Sequence, residues 1–147
     1  TIVFLLIPKN EKKQVQFMTA ALIIDLLLCN VILKNLVART RPYDVNTGVQ
    51  LLVSRLHDYS FPSGHTAAAF ASVTALYLAG EKKLWKPVLV LACLIGISRL
   101  YLYVHYPQMF LAVALAGAIS GYLGYRFIQT IFYRIKQKRE GCAKSEE

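Results

Sequence analysis

Charged residues are scarce in this chain of 147 residues: 17% of positions, against 56% hydrophobic, where soluble domains carry about 25%. Acidic side chains are the scarcer kind, with 8 Asp+Glu against 17 Lys+Arg. These shortages exclude an acidic or disordered chain, and uncharged stretches approaching ~20 residues exclude a water-soluble globule. Cysteine is sparse too. Cys29, Cys93 and Cys142 are too few and too scattered for a disulfide framework or a zinc site, and two lie in apolar runs where a thiol serves as a small hydrophobe. Internal repeats, low-complexity segments and a basic stripe interleaved with exposed aromatics are all missing. The net charge of +9 therefore reads as basic residues flanking membrane spans and meeting anionic head groups, not as nucleic-acid binding.

What is present is a series of apolar runs. Residues 1–7 are apolar, but at ~1.5 Å per residue they reach only about 10 Å into a ~30 Å hydrocarbon core. They read as the end of a span, so an N-terminal part is expected to precede them. Full spans are predicted at about 15–37, 64–80, 87–106 and 107–128, with a polar loop up to residue 63 and the turn EKKLWK at 81–86. Pro107 divides the last pair, because proline suits a first helical turn and disfavours helix at the residue before it. The expectation is an all-α, polytopic transmembrane bundle of about four full spans plus an N-terminal span remnant. It forms one membrane domain over 1–128, followed by a basic tail over 129–147 that extends the last helix and frays. Twelve of the 17 basic residues fall in the N-terminal turn, in EKKLWK and toward the C-terminus. Those three places share one side if the spans alternate, and the positive-inside rule makes that side, with the tail, cytoplasmic.

The other five, Lys34, Arg39, Arg41, Arg55 and Arg99, fall at or near the opposite face and need a separate reason. At ~100° per residue, Lys34 and Arg41 are about 20° apart on one helix face, with Asn30 on the same face. Pro42 is predicted to end that helix. Snorkelling at the membrane interface would account for this pair alone. Phe61-Pro62-Ser63-Gly64-His65 opens an apolar helix; Ser63 is placed to cap it, Gly64 lets a ligand approach the backbone, and the free N–H groups of the first turn can receive an anion. An ordinary capped helix start would look the same. Arg99, after Ser98, interrupts an apolar run, and charge at that depth normally marks a site. His105 follows; by itself it would be read as structural. Tyr101, Tyr103 and Tyr106 read as an interfacial belt, Asp25 as a packed polar residue of the bundle, and His57 as a solvated loop histidine. Gly117, Gly121, Ala67, Ala71 and Ala75 are small enough for close helix approach.

Taken in order, the chain carries Lys-x6-Arg-Pro (Lys34 to Pro42), Pro-Ser-Gly-His (Pro62 to His65) and Ser-Arg-x5-His (Ser98 to His105). It resembles the type 2 phosphatidic acid phosphatase family of membrane lipid phosphatases, which shares its active-site pattern with vanadium haloperoxidases. The resemblance covers about residues 1–128 and implies six spans, one of them absent here. It implies His105 as the nucleophile that forms a phosphohistidine and His65 as the acid that protonates the leaving alkoxide. Lys34, Arg41, Ser63, Gly64 and Arg99 would bind the phosphate. Physical chemistry agrees, because fixed cations and N–H donors supply most of the stabilisation in phosphoryl transfer. Both histidines titrate near neutral pH, and neighbours can favour neutral His105 and protonated His65. Three cations take the place of a metal, so no cofactor and no metal are expected. The implied partner is a lipid phosphate in the membrane: phosphatidic acid, phosphatidylglycerol phosphate or polyprenyl diphosphate. It would reach a site on the extracytoplasmic face of the plasma membrane.

One position departs from the pattern. The family's third motif continues His-x3-Asp, with that Asp orienting the nucleophilic His, and here the position is Met109. A thioether is a weak, uncharged acceptor, and loss of an orienting carboxylate in other histidine enzymes costs about 10⁴ in rate. The sequence therefore predicts an impaired phosphatase, unless Asp44 or Asp58 of the outer loop substitutes. The alternative is a catalytically silent membrane protein that binds lipid phosphates. A transporter is more distant, because it would need charges at mid-depth. The oligomeric state is not legible.

Overall fold

A computed structural model describes residues 9–46, 48 and 50–143 of the chain. The apolar segment 1–7 and Lys144 lie outside the described residues, as do the side chains of Lys9 and Cys142. Every regular element among the described residues is helical. The first helical rod runs as α1 (Lys9–Asp25), a π-helical stretch (Leu26–Leu33) and α2 (Lys34–Val37). A short α3 (Pro42–Val45) opens the outer loop, and then come α4 (Gly64–Leu78), α5 (Trp85–Tyr101), a 3₁₀ turn (Pro107–Met109) and α6 (Phe110–Ala143).

Four long helical segments thus stand where spans were expected, with three boundary differences. The first rod stops at Val37 because Ala38 turns into the left-handed region at φ 45°, so Arg41 is not on the helix at all. Pro42 starts α3 instead of ending the first rod. α5 ends at Tyr101, five residues before Tyr106, and Tyr103 takes φ 57°. α6 continues through the basic tail to Ala143. Among the described residues two helical segments, Lys12–Val45 and Pro107–Glu140, are long and apolar enough to cross a membrane by length and composition.

The packing is inverted relative to a soluble domain. Leu22, Ile23, Leu26 and Leu27 of the first rod, Val90, Leu91 and Leu94 of α5, and Leu111, Leu115 and Ile119 of α6 point outward, while the core holds Ala20, Ala21, Ala67, Ala71, Ala75, Ala92 and Ala116. Lipid chains are as apolar as leucine, so helix association in a membrane rests on close approach of small residues. α6 packs against both α4 and α1, and α4 also packs against α5 and α1. A Cβ on Gly117 would stand 2.3 Å from the Ala67 carbonyl oxygen, and one on Gly121 2.5 Å from that of Ala71. The expected small-residue seam is therefore the α4–α6 contact. Gly117→Leu is expected to destabilise the bundle by at least the ~1–3 kcal/mol typical of overpacking, read as a lower midpoint of thermal unfolding in detergent.

One end of the bundle gathers the basic segments. Gln14 bonds Glu81 at 2.9 Å, Phe17 packs on Tyr125 and Phe132, and the Lys13 ammonium lies 6.0 Å from the Phe132 ring centre. The start of α1, the turn at 79–84 and the second half of α6 are thus neighbours. The three motifs meet at the other end.

Candidate active site

Lys34 reaches the site from the last turn of the first rod, with Asn30 one turn below it. His65 stands in the first turn of α4, Arg99 in the last turn of α5, and His105 in the connection before the 3₁₀ turn. All four line one cavity of about 350 Å³, together with Asn30, Arg41, Asp58 and Gly64. Seven-residue spacing on a helix does not bring Lys34 and Arg41 together, since the chain leaves the helix between them. They meet through Asp58, whose two carboxylate oxygens pair with the Lys34 ammonium and the Arg41 guanidinium.

Asp58 is the residue that the motifs did not include. It lies in the outer loop, with its side chain half exposed. Burial pushes its carboxyl up, but the hydrogen bonds from Lys34 and Arg41 outweigh this and hold it below the usual carboxylate range. It is ionised at neutral pH and occupies cations that a phosphate would use. A negative charge seven residues before His65 was the available signal.

Arg41 is buried, at 2% exposure, and its donors are already engaged by the protein. Nε donates to the Asp58 carbonyl at 2.8 Å, one terminal nitrogen to the Val104 carbonyl at 3.0 Å, and the other to the Asp58 carboxylate and the Tyr59 carbonyl. Arg41 therefore ties the segment 58–59 to the backbone just before His105. Nearby, the Arg39 guanidinium lies 4.1 Å from the centre of the Tyr106 ring, so of the three tyrosines expected in an interfacial belt Tyr106 is a stacking partner, while Tyr101 and Tyr103 stand exposed.

Ser63 is at the N-cap of α4, but its hydroxyl does not cap the helix. It accepts from the Thr66 hydroxyl at 3.1 Å and lines a second, smaller cavity behind His105 with Ser60, Arg99, Tyr106 and Met109. Gly64 lines the main cavity, where a Cβ would come within 2.8 Å of the Asn30 side-chain oxygen. A side chain there would require the end of the Asn30 side chain to shift.

His105 Nδ1 lies 2.6 Å from the main-chain carbonyl oxygen of Ser60. A carbonyl carries no proton, so the bond requires N–H at Nδ1 and leaves Nε2 with a free lone pair in the neutral ring. Burial, then Arg41 and more distantly Lys34 and Arg99, push the His105 pKa down to about 4, with the Ser60 bond opposing. The imidazole is neutral at physiological pH. Met109 is buried, at 7% exposure, in an apolar cluster with Cys29, Ala67, Val113 and Ala116.

Arg99 Nε is buried with no protein partner, and so is the Ser60 hydroxyl. Since Arg99 lines both cavities, it is a cation not satisfied by the fold. Among the described residues no group of three or more His, Cys, Asp and Glu side chains is placed to hold a metal ion.

A family model described as the PAP2 superfamily matches residues 15–133. The chain is 30% identical over 126 residues to an undecaprenyl-diphosphatase of Sulfolobus acidocaldarius, covering 86% of this chain and 61% of that protein. It is 33% identical over 101 residues to the undecaprenyl-diphosphatase BcrC of Bacillus subtilis, covering 69% and 51%. A lipid A 1-phosphatase of Porphyromonas gingivalis is 36% identical over 96 residues, 58% of this chain and 22% of that protein. The chain thus spans about half to three fifths of the first two relatives. No solved structure matches it.

Proposed function

The chain belongs to the PAP2 superfamily, and from that premise we propose that it is an integral membrane phosphohydrolase that removes phosphate from a lipid phosphate or polyprenyl diphosphate. The observation that carries this is the convergence of His65, His105, Lys34 and Arg99 on one cavity, with His105 held neutral and its Nε2 free. The substrate class draws on relatives named as undecaprenyl-diphosphatases and lipid phosphatases.

In the proposed reaction Nε2 of His105 attacks phosphorus, an N–P bond forms and the bridging P–O bond breaks. His65 gives its proton to the departing oxygen. Water then attacks the phosphohistidine, with His65 now taking the proton, and inorganic phosphate leaves. The phosphoryl charge itself favours the protonated form of His65 once substrate is bound. Lys34 and Arg99 face charge developing on the phosphoryl oxygens, and the Gly64 N–H supplies a neutral donor; Ser63, on the smaller cavity, is not placed to do so. Arg41, with its donors committed, acts on phosphate as a nearby charge and on His105 as a brace.

The cavity lies at the end of the bundle opposite the gathered basic segments, which supports an extracytoplasmic site, a cytoplasmic tail and four spans in the plasma membrane. Met109 in place of the expected carboxylate supports the second reading, a protein that binds lipid phosphates without turnover. Phosphate release in detergent from undecaprenyl diphosphate, phosphatidic acid and phosphatidylglycerol phosphate tests the choice. Release from at least one is expected; binding of all three without release would establish the second reading.

Asp58 gives a prediction of its own. A phosphate must compete with its carboxylate for Lys34, so Asp58→Asn is expected to lower the vanadate concentration for half-inhibition several-fold. Weaker inhibition by vanadate in that variant would show that Asp58 builds the anion seat and does not block it.

A further inference from the structure

The sequence removes the carboxylate that the family places four residues after the nucleophilic histidine, while the structure gives Nδ1 of that histidine a different acceptor. We propose that the main-chain carbonyl of Ser60 is the positioning group of His105, so that the site keeps its nucleophile oriented with Met109 in place of an aspartate. This rests on the phosphohydrolase reading for its kinetic consequence, but its geometry stands apart from it.

Three observations support the assignment. The contact is short, 2.6 Å, and joins groups 45 residues apart in sequence, so neither local chain geometry nor helix register produces it. Because only Nδ1–H can make it, it selects the same tautomer that a carboxylate partner would select. The acceptor is also fixed from both sides. The Ser60 N–H bonds the Arg39 carbonyl at 2.8 Å, and Arg41 holds the Asp58 and Tyr59 carbonyls with one hand and the Val104 carbonyl with the other. The guanidinium thus sets the distance between the strand of chain carrying the acceptor and the residue before His105. A buried cation bridging three carbonyls is rigid in a way that a single loop carbonyl is not.

A carbonyl differs from a carboxylate in one respect that matters. It fixes the ring and the tautomer without a full negative charge to stabilise the imidazolium. In a phosphohistidine mechanism the bond from Nε2 to phosphorus leaves positive charge on the ring while Nδ1 keeps its proton, so the carbonyl supplies the orientation and tautomer in full and only its dipole toward that charge.

The test pairs a spectroscopic with a kinetic measurement on the full chain in detergent. Nitrogen-15 NMR of histidine-labelled protein, with His105 assigned through loss of its signal in His105→Gln, is expected to show protonated Nδ1 and unprotonated Nε2 at neutral pH. Arg41→Lys keeps the charge but cannot span the three carbonyls; it is expected to yield a mixture of tautomers and a kcat at least tenfold lower, with KM changed less than kcat. Met109→Asp is expected to alter kcat by less than tenfold. A Nε2–H tautomer in the parent protein overturns the proposal, as does a rise above tenfold in Met109→Asp. If the parent shows the Nδ1–H tautomer and the Arg41→Lys mixture appears, but no lipid phosphate is hydrolysed by any variant, the positioning role stands and the phosphohydrolase reading falls.

Discussion

His105→Ala is expected to abolish phosphate release, with kcat reduced by about 10⁴ or more, while binding of the lipid phosphate is retained within a few-fold. The size of the effect follows from covalent catalysis. Removing the imidazole removes the bond-forming atom, and water cannot occupy the same oriented position. Binding survives because Lys34 and Arg99 line the same cavity independently. The pH profile supplies a second readout. With the His105 pKa at about 4, the nucleophile stays unprotonated as pH falls from 7 and loses its lone pair only near that value. His105 therefore sets no acid limb in kcat/KM around its ordinary value of 6.5, and a limb there reports another group. Single-turnover assays with phosphorus-32 substrate should trap labelled protein in the parent chain and none in the variant. Turnover within tenfold of the parent in His105→Ala would remove it from the nucleophile role.

Arg99→Ala is expected to lower kcat/KM by about 10³, within the range for losing a preorganised donor or a transition-state arginine. Arg99 differs from Arg41 in having a buried Nε with no partner in the fold. On the proposed reading, replacing Arg41 removes a brace and replacing Arg99 removes a contact with the phosphoryl group. Arg99→Lys should recover only part of the loss, because a point charge cannot reproduce the planar fork that grips two oxygens. The check is a comparison of kcat/KM and of the vanadate inhibition constant across parent, Arg99→Lys and Arg99→Ala, both quantities moving in parallel. If vanadate inhibits Arg99→Ala as well as the parent, Arg99 does not touch the anion.

Several of these features are legible in the sequence. Low charge, long apolar runs and the alternation of basic turns predicted a helical membrane bundle, and the helices fall where the runs are. The stripe of alanines and glycines was readable as a packing seam because close approach needs small side chains whatever the partner. The motifs named Lys34, Arg41, Gly64, His65, Arg99 and His105, which line the cavity, but not Asp58, which lines it too; their Ser63 lines the smaller one. Other features were hidden. A seven-residue spacing suggested that Lys34 and Arg41 share a helix face, but Ala38 breaks the helix at φ 45° and the pair is joined by Asp58 instead. α5 was expected to reach Tyr106, and it stops at Tyr101, leaving His105 in a connection whose course depends on contacts with a loop 45 residues earlier.

The sequence by itself determined the class of the protein and most of the residues that the fold gathers around one cavity. Each of these depends on side-chain identity, and identity is what a sequence records. Only the tertiary structure decided how His105 is held, which cations are committed and which are open. Beside the Asp58 carboxylate, those outcomes depend on main-chain carbonyls at Asp58, Tyr59, Ser60 and Val104, and every residue carries a carbonyl of the same kind. Such groups acquire meaning only when folding brings one of them within hydrogen-bond distance of a particular ring or guanidinium.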